Sequence, residues 1–203
     1  MTYMTVLSCC EAACPQKTSK LSPCTFGSMQ RHLLHLALAG AGDLFISEYV
    51  EGTSYTKAIE LHNPSSASVA MDGVKQQWHH NGQVYDASMN YDLDLSGDSI
   101  SAHGTFVICR MPPSNGNTLI GEAKCDMQVS YSSEASHAVL HTGDDAVELL
   151  VAGSRVDVIG TVGSDPGSCW KDASGKCMTK DKTLRRKASV TSGSTTWNSA
   201  QWI

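Results

Sequence analysis

From Asp43 onward the chain is a series of short β-type runs, each cut off by turn residues before a helix of useful length can form. Leu44-Phe45-Ile46-Ser47-Glu48-Tyr49-Val50 is the first, ended by Glu51-Gly52-Thr53-Ser54. Lys57-Ala58-Ile59-Glu60-Leu61-His62 follows and stops at Asn63-Pro64, because proline has no N–H to give to a central ladder. Gln76 to His80 and Gln83 to Asp86 flank Asn81-Gly82, the dipeptide best suited to a two-residue hairpin turn. Thr105-Phe106-Val107-Ile108-Cys109 is an apolar run that reads as a strand buried on both faces. Ala146 to Val151 and Arg155 to Ile159, joined by Ala152-Gly153-Ser154, predict a second hairpin. Simple alternation there puts Val156 and Val158 on one face, Arg155 and Asp157 on the other. Thr183 to Val190 and the segment around Trp197 close the chain. Parallel α/β folds need crossover helices of about ten residues or more, for which there is no place. The fold class predicted is all-β, an antiparallel β-sandwich of seven or more strands.

The first forty residues read differently. Residues 1–28 show no sustained period of two or of 3.6. Gln30-Arg31-His32 then forms a weakly basic start, and Leu33 to Leu38 is apolar apart from His35. Ala37-Leu38-Ala39 and Ala39-Gly40-Ala41 offer small-x-small cleavage sites, so the stretch has the shape of a secretory signal. Residues 1–42 are therefore expected to be an unstructured leader outside the fold, with Met1 and Met29 as alternative starts, and residues 43–203 to be one domain. Secretion agrees with the cysteines. Of the eight, Cys9, Cys10, Cys14 and Cys24 lie in the leader and Cys109, Cys125, Cys169 and Cys177 in the body. Four body cysteines allow three pairings, and the short polar loops between them favour Cys109 with Cys125 and Cys169 with Cys177. No CxxC pair or finger-spaced histidine supports zinc instead.

Fifteen Lys and Arg against twenty Asp and Glu give a net charge of −5, which argues against a globally basic nucleic-acid binder. Locally the balance reverses. Residues 169–190 carry seven cations and only Asp172 and Asp181 as acids. Trp170, Lys171, Lys180, Lys182, Arg185, Arg186 and Lys187 form a candidate polyanion patch: the cations would meet phosphate and Trp170 would stack on a base. The alternative is a solvated strand and loop. Asp144-Asp145, with Glu48, Glu51 and Glu60, raises a calcium site; the simpler reading is a Gly-Asp-Asp turn bonded to its own backbone, with Glu60 paired to Lys57 or a strand neighbour. His79 and His80 point to opposite faces of a strand and do not share an ion. His137 and His141, about 13 Å apart on a strand, are expected to face solvent. Trp78, Trp197 and Trp202 read as packing residues. No phosphate-cradling glycine loop and no G-x-S-x-G elbow occurs, so neither catalysis nor a metal or cofactor is expected.

In order along the chain, Ile46-Ser47-Glu48-Tyr49-Val50-Glu51-Gly52, Lys57-Ala58-Ile59-Glu60-Leu61 and Asn63-Pro64 resemble the opening of a lamin tail domain. Gly104-Thr105-Phe106-Val107-Ile108 resembles its mid-domain strand, and Gly143-Asp144-Asp145-Ala146-Val147-Glu148-Leu149 its GDDA hairpin. Val156-Asp157-Val158-Ile159-Gly160, Asp165-Pro166-Gly167, Thr179 to Lys187 and Trp202 complete a resemblance that covers about residues 43–203. The form resembled is that of secreted microbial and algal proteins, where the domain often accompanies extracellular nucleases. It implies an immunoglobulin-like sandwich and a secreted, non-catalytic module that binds or tethers a nucleic acid, glycan or protein. Between Val69 and Tyr85 the sequence departs from the pattern, with Val69-Ala70-Met71-Asp72-Gly73 and the polar run Gln76-Gln77-Trp78-His79-His80. The companion nucleases' Gly-Asp-x-Asn and Ser-Asp-His are missing; Ser164-Asp165-Pro166 lacks the histidine. An accessory domain or fragment of a secreted nuclease or phosphatase, its catalytic domain absent from this chain, is the alternative. A third reading is an intracellular protein that interacts by strand addition, whose body cysteines would be reduced.

Overall fold

The computed structural model describes residues 40–84, 92–113, 120–121, 124–130 and 138–203. The leader up to residue 39, with both candidate start methionines, and His137 lie outside them. Eleven strands follow in chain order among the described residues: β1 (Phe45–Glu51), β2 (Lys57–His62), β3 (Val69–Ala70), β4 (Val74–His79), β5 (Asp92–Asp94), β6 (Ser99–Ile100), β7 (Thr105–Met111), β8 (Met127–Ser130), β9 (Ala146–Val151), β10 (Ser154–Ile159) and β11 (Lys182–Arg185). They form a five-stranded sheet in the order β11-β1-β2-β7-β8, a four-stranded sheet β10-β9-β4-β5, and a ribbon β3-β6.

The alternation of apolar residues explains the layers. Ile46, Tyr49, Ile59, Leu61 and Ile108 of the first sheet turn inward and are fully buried, as are Val74, Val147, Leu149 and Ile159 of the second. The result is an all-β, immunoglobulin-like sandwich. Ala41, at the end of the expected leader, is buried in the same core. Pairing is antiparallel except between β7 and β8, an exception to the wholly antiparallel expectation. A parallel pair needs a long return connection, and here the return is stapled. The Cys109–Cys125 disulfide ties β7 to a point two residues before β8, and Val107 N donates to Asp126 Oδ2 at 2.8 Å. Cys169 and Cys177 form the second disulfide.

Three expectations are corrected. Asn81-Gly82 makes its turn, with φ of +48° and +66° and Gln83 N donating to the His80 carbonyl at 3.0 Å, but not the hairpin expected to follow. β4 pairs with β5 and β9 instead, and Tyr85 and Asp86 of the expected returning strand lie outside the described residues. The glycine is needed because its φ is +66° and a Cβ there would strike the Ser164 carbonyl. In β10 a register shift between Arg155 and Asp157 breaks the simple alternation, so Asp157 is fully buried and Val156 only half-buried. The last strand is shorter than Thr183 to Val190: β11 ends at Arg185, and Arg186 then makes one isolated bridge to Trp202. Gln76 of the polar β4 run lies inside, where its Nε2 donates to the Ala138 carbonyl.

Candidate functional site

One end of the sandwich gathers the loops that carry most of the singled-out residues. Asp145 organises it. Its Oδ1 accepts from Asn81 N at 2.8 Å, and its Oδ2 accepts from Thr142 N at 2.5 Å and from Thr142 Oγ1 at 2.8 Å. Asp144 accepts from the same hydroxyl at 2.8 Å. The Gly-Asp-Asp sequence is thus a self-bonded turn that also pins the Asn81-Gly82 turn. Glu51 is committed to Lys57 and to Asp181 N, and Glu60 to Ser47 Oγ. The five carboxylates weighed for calcium are spread over separate contacts, and among the described residues no three metal-ligating side chains gather.

Trp170 belongs to this end too, but inside it. Its indole Nε1 donates to the Asp145 carbonyl at 2.7 Å, its backbone N to Thr179 Oγ1 at 3.0 Å, and only 7% of the residue is exposed. The indole lies where a Cβ on Gly160 would be, at φ +79°. The expected role of Trp170 as a stacking platform is therefore corrected: the ring is a core plug. What it anchors is a turn clamped by Cys169–Cys177 and by Asp172, which accepts from Ser174 N, Ser174 Oγ and Lys176 N at 2.9, 2.6 and 2.9 Å. Those bonds hold the Asp172 carboxyl below its ordinary 3.8. Lys171 and Lys176 stand exposed on this turn, and Lys180 and Lys182 stand exposed on either side of Asp181.

Beneath these loops lie titratable groups that the sandwich has enclosed. Lys57 and Glu51 form a buried ion pair, and Lys57 Nζ also donates to the Gly52 carbonyl at 2.9 Å. His141 is fully buried, which corrects the solvent-facing expectation. Its Nε2 donates to the Val50 carbonyl at 2.9 Å, and burial, only partly offset by that bond, pulls the imidazole down to about 3. Tyr49, whose hydroxyl donates to the Thr142 carbonyl at 3.2 Å, is pushed well above 10.0 by burial and by the neighbouring Glu51 and Asp145 charges. His79 is enclosed as well. It is buried between Glu148 Oε1 at 2.7 Å and the Gln83 carbonyl at 2.9 Å, while His80 is exposed. Burial pushes Glu148 up, but its bonds from His79 and Arg155 outweigh that and hold it below 4.5.

The three consecutive cations at the end of β11 separate by face. Leu184 and Arg186 turn inward; Arg185 and Lys187 turn outward. Arg186 donates to both Asp157 oxygens at 2.5 and 2.6 Å, stacks 4.1 Å over Trp202, and has a side chain only 4% exposed. It is a clamp between the sheets, not part of a surface patch. Arg185 is 69% exposed and donates to Glu48 at 3.2 Å. With Lys187 it borders an open groove of about 470 Å³ across β11, β1 and β2, floored by Glu48 and Glu60. The run 169–190 therefore presents two surfaces: four lysines at the loop end, and Arg185 with Lys187 at the groove. Sequence reasoning missed Asp157 and Glu148. A charged residue inside each of two apolar strands was the available signal.

Residues 38–163, more than half of the chain, match the Lamin Tail Domain family. The chain belongs to that family. A search of curated proteins gives no match. This lamin tail domain extends past its family match, because the disulfide-clamped turn, β11 and the Arg186 clamp all lie after residue 163. β11 nevertheless completes the first sheet by pairing with β1 from Glu48↔Arg185 to Glu51↔Lys182.

Proposed function

We propose that this lamin tail domain is a secreted, non-catalytic module that tethers a polyanionic macromolecule, of which extracellular nucleic acid is the first candidate. The observation that carries the reading is the loop end itself. Lys171, Lys176, Lys180 and Lys182 are exposed there, and among the described residues none has a carboxylate ion-paired to it. Lys171 and Lys176 stand on a turn held by a disulfide, an Asx-type carboxylate and a buried indole, and Lys182 opens a paired strand, so little side-chain-bearing backbone has to be ordered on binding. The two disulfides support an oxidising compartment, where such bridges persist. A non-catalytic role is supported by where the titratable groups have gone: His79, Glu148, Asp157 and Lys57 each neutralise or hold another buried group. A place beside an extracellular nuclease, as in the secreted microbial and algal form of the domain, fits a tether for that enzyme's substrate.

The test is a native-gel shift of the purified chain with labelled single-stranded DNA across a salt series, with and without Mg²⁺ and Ca²⁺. Four phosphate contacts predict a slope of log affinity on log salt of about −3. Changing Lys171, Lys176, Lys180 and Lys182 together to Glu should abolish the shift. A shift untouched by that change, or none even at low salt, removes nucleic acid as the partner. Cleavage of the DNA that survives repurification would overturn the non-catalytic assignment.

A further inference from the structure

We propose that the groove across β11, β1 and β2 is a binding site for a neutral glycan, independent of the lysine-bearing end. The floor is built by register. Glu48 lies directly opposite Arg185 on one side and Glu60 on the other, so a row of three long polar side chains crosses the outer face of the sheet. Two carboxylates facing each other across strands disfavour the sheet, and here the repulsion is only partly relieved. Arg185 Nε donates to Glu48 Oε1 at 3.2 Å and Ser47 Oγ to Glu60 Oε1 at 2.7 Å. Each carboxylate keeps its second oxygen, and Arg185 its terminal N–H groups, without a hydrogen-bond partner among the described residues. The same holds for the His62 ring nitrogens and for Lys187 Nζ. A register shift between Ile46 and Glu48 bends β1 at this point. Phe45, edge-on to His62 with ring centroids 5.4 Å apart, and Pro64 and Val190 add apolar wall.

The mixture of charges selects the ligand class. An anionic polymer that met Arg185 and Lys187 would also meet the Glu48–Glu60 pair, and a cationic peptide that met the carboxylates would also meet the two cations. A sugar hydroxyl donates to a carboxylate and accepts from a guanidinium without a charge of its own, so it satisfies both without like-charge repulsion. The volume of about 470 Å³ and the open, unenclosed shape suit a stretch of chain better than an enclosed small molecule.

The experiment titrates the full chain with cellohexaose, laminarihexaose and chitohexaose, with hexagalacturonate and hexalysine as charged counterparts, and follows backbone amide shifts by NMR. At least one neutral oligomer should bind, with shifts confined to β1, β2 and residues 185–191, and with an affinity unchanged between low and high salt. Arg185→Ala and Glu60→Ala should each weaken it about tenfold or more, the cost of leaving a charged hydrogen bond unmade; Glu60→Gln, which keeps an acceptor, should lose less. The proposal is overturned if no neutral oligomer binds, if hexagalacturonate or hexalysine binds better than all three, or if the shifts map elsewhere. It is also overturned if these variants bind as the parent does. The DNA shift depends on other residues and on salt, so either result leaves the other standing.

Discussion

Replacing Arg186 by Met tests the claim that the two sheets are clamped by one buried ion pair. Asp157 is fully buried and accepts five hydrogen bonds: two from Arg186 at 2.5 and 2.6 Å, and one each from Ile46 N at 2.8 Å, Ser194 N at 2.9 Å and Val158 N at 3.0 Å. Removing one partner of such a pair leaves an uncompensated buried charge and costs about 3–5 kcal/mol. Against a total stability of about 5–15 kcal/mol that is a large share, equivalent to a fall of roughly 10 °C in Tm for a domain of this size. Methionine keeps most of the packing on Trp202, so the loss reports the charge. Acidity supplies the internal control. Burial pushes the Asp157 carboxyl above its ordinary 3.8, with Arg186 pulling it partway back. Without Arg186 the folded carboxyl titrates higher still. A group raised on folding contributes stability at low pH that is lost as pH rises through its folded value. The variant's deficit must therefore be full near neutral pH and shrink as Asp157 protonates. Urea unfolding followed by tryptophan fluorescence at several pH values measures both. A deficit below about 1 kcal/mol, or one that does not narrow on acidification, refutes the clamp.

Three further outcomes follow from the same contacts. Trp170→Phe loses the bond to the Asp145 carbonyl and should cost about 1–2 kcal/mol in denaturant titration while leaving the DNA shift unchanged; weaker DNA binding at unchanged stability would restore the stacking role. His141, held down to about 3 by burial, contributes stability that is present above its ordinary 6.5 and lost as pH falls toward 3. His141→Phe should accordingly show a shallower acid slope than the parent in melts between those pH values. Reducing the Cys109–Cys125 bridge, which spans 16 residues, should cost about 3 kcal/mol by the loop-entropy relation, and the Cys169–Cys177 bridge, which spans 8, about 2.5 kcal/mol, both read from melts with and without dithiothreitol.

Most of the strand layout was written locally. Lys57 to His62 came out at its expected bounds because period-two burial and the following Asn-Pro act within the segment itself. Gly143-Asp144-Asp145 and both disulfides were legible for the same reason. What sequence could not give was whatever depends on a partner far along the chain. One extra residue in β10 moves Asp157 from the outer face to the core, since a one-residue shift flips every side chain beyond it. Arg186 follows Asp157 inward, 29 residues away. Trp170 looked like an exposed ring among lysines, and only the space left over Gly160 shows that it is interior. Asn81-Gly82 makes the turn its residues favour, yet the two edges of β4 that a returning strand could take belong to β5 and β9.

Burial has therefore divided a single basic run into groups with different thermodynamic signatures. Arg186 and Trp170 are spent on the fold. Lys171, Lys176, Lys180 and Lys182 stand exposed at one end, where a polyanion of the kind proposed would release counterions on binding and lose affinity steeply as salt rises. Arg185 is partly neutralised by Glu48, and the groove it borders carries both signs, so association there should be nearly indifferent to salt. One salt series on the whole protein therefore separates the two surfaces without any substitution. A ligand released at high salt reports the lysines, and one that stays bound reports the groove.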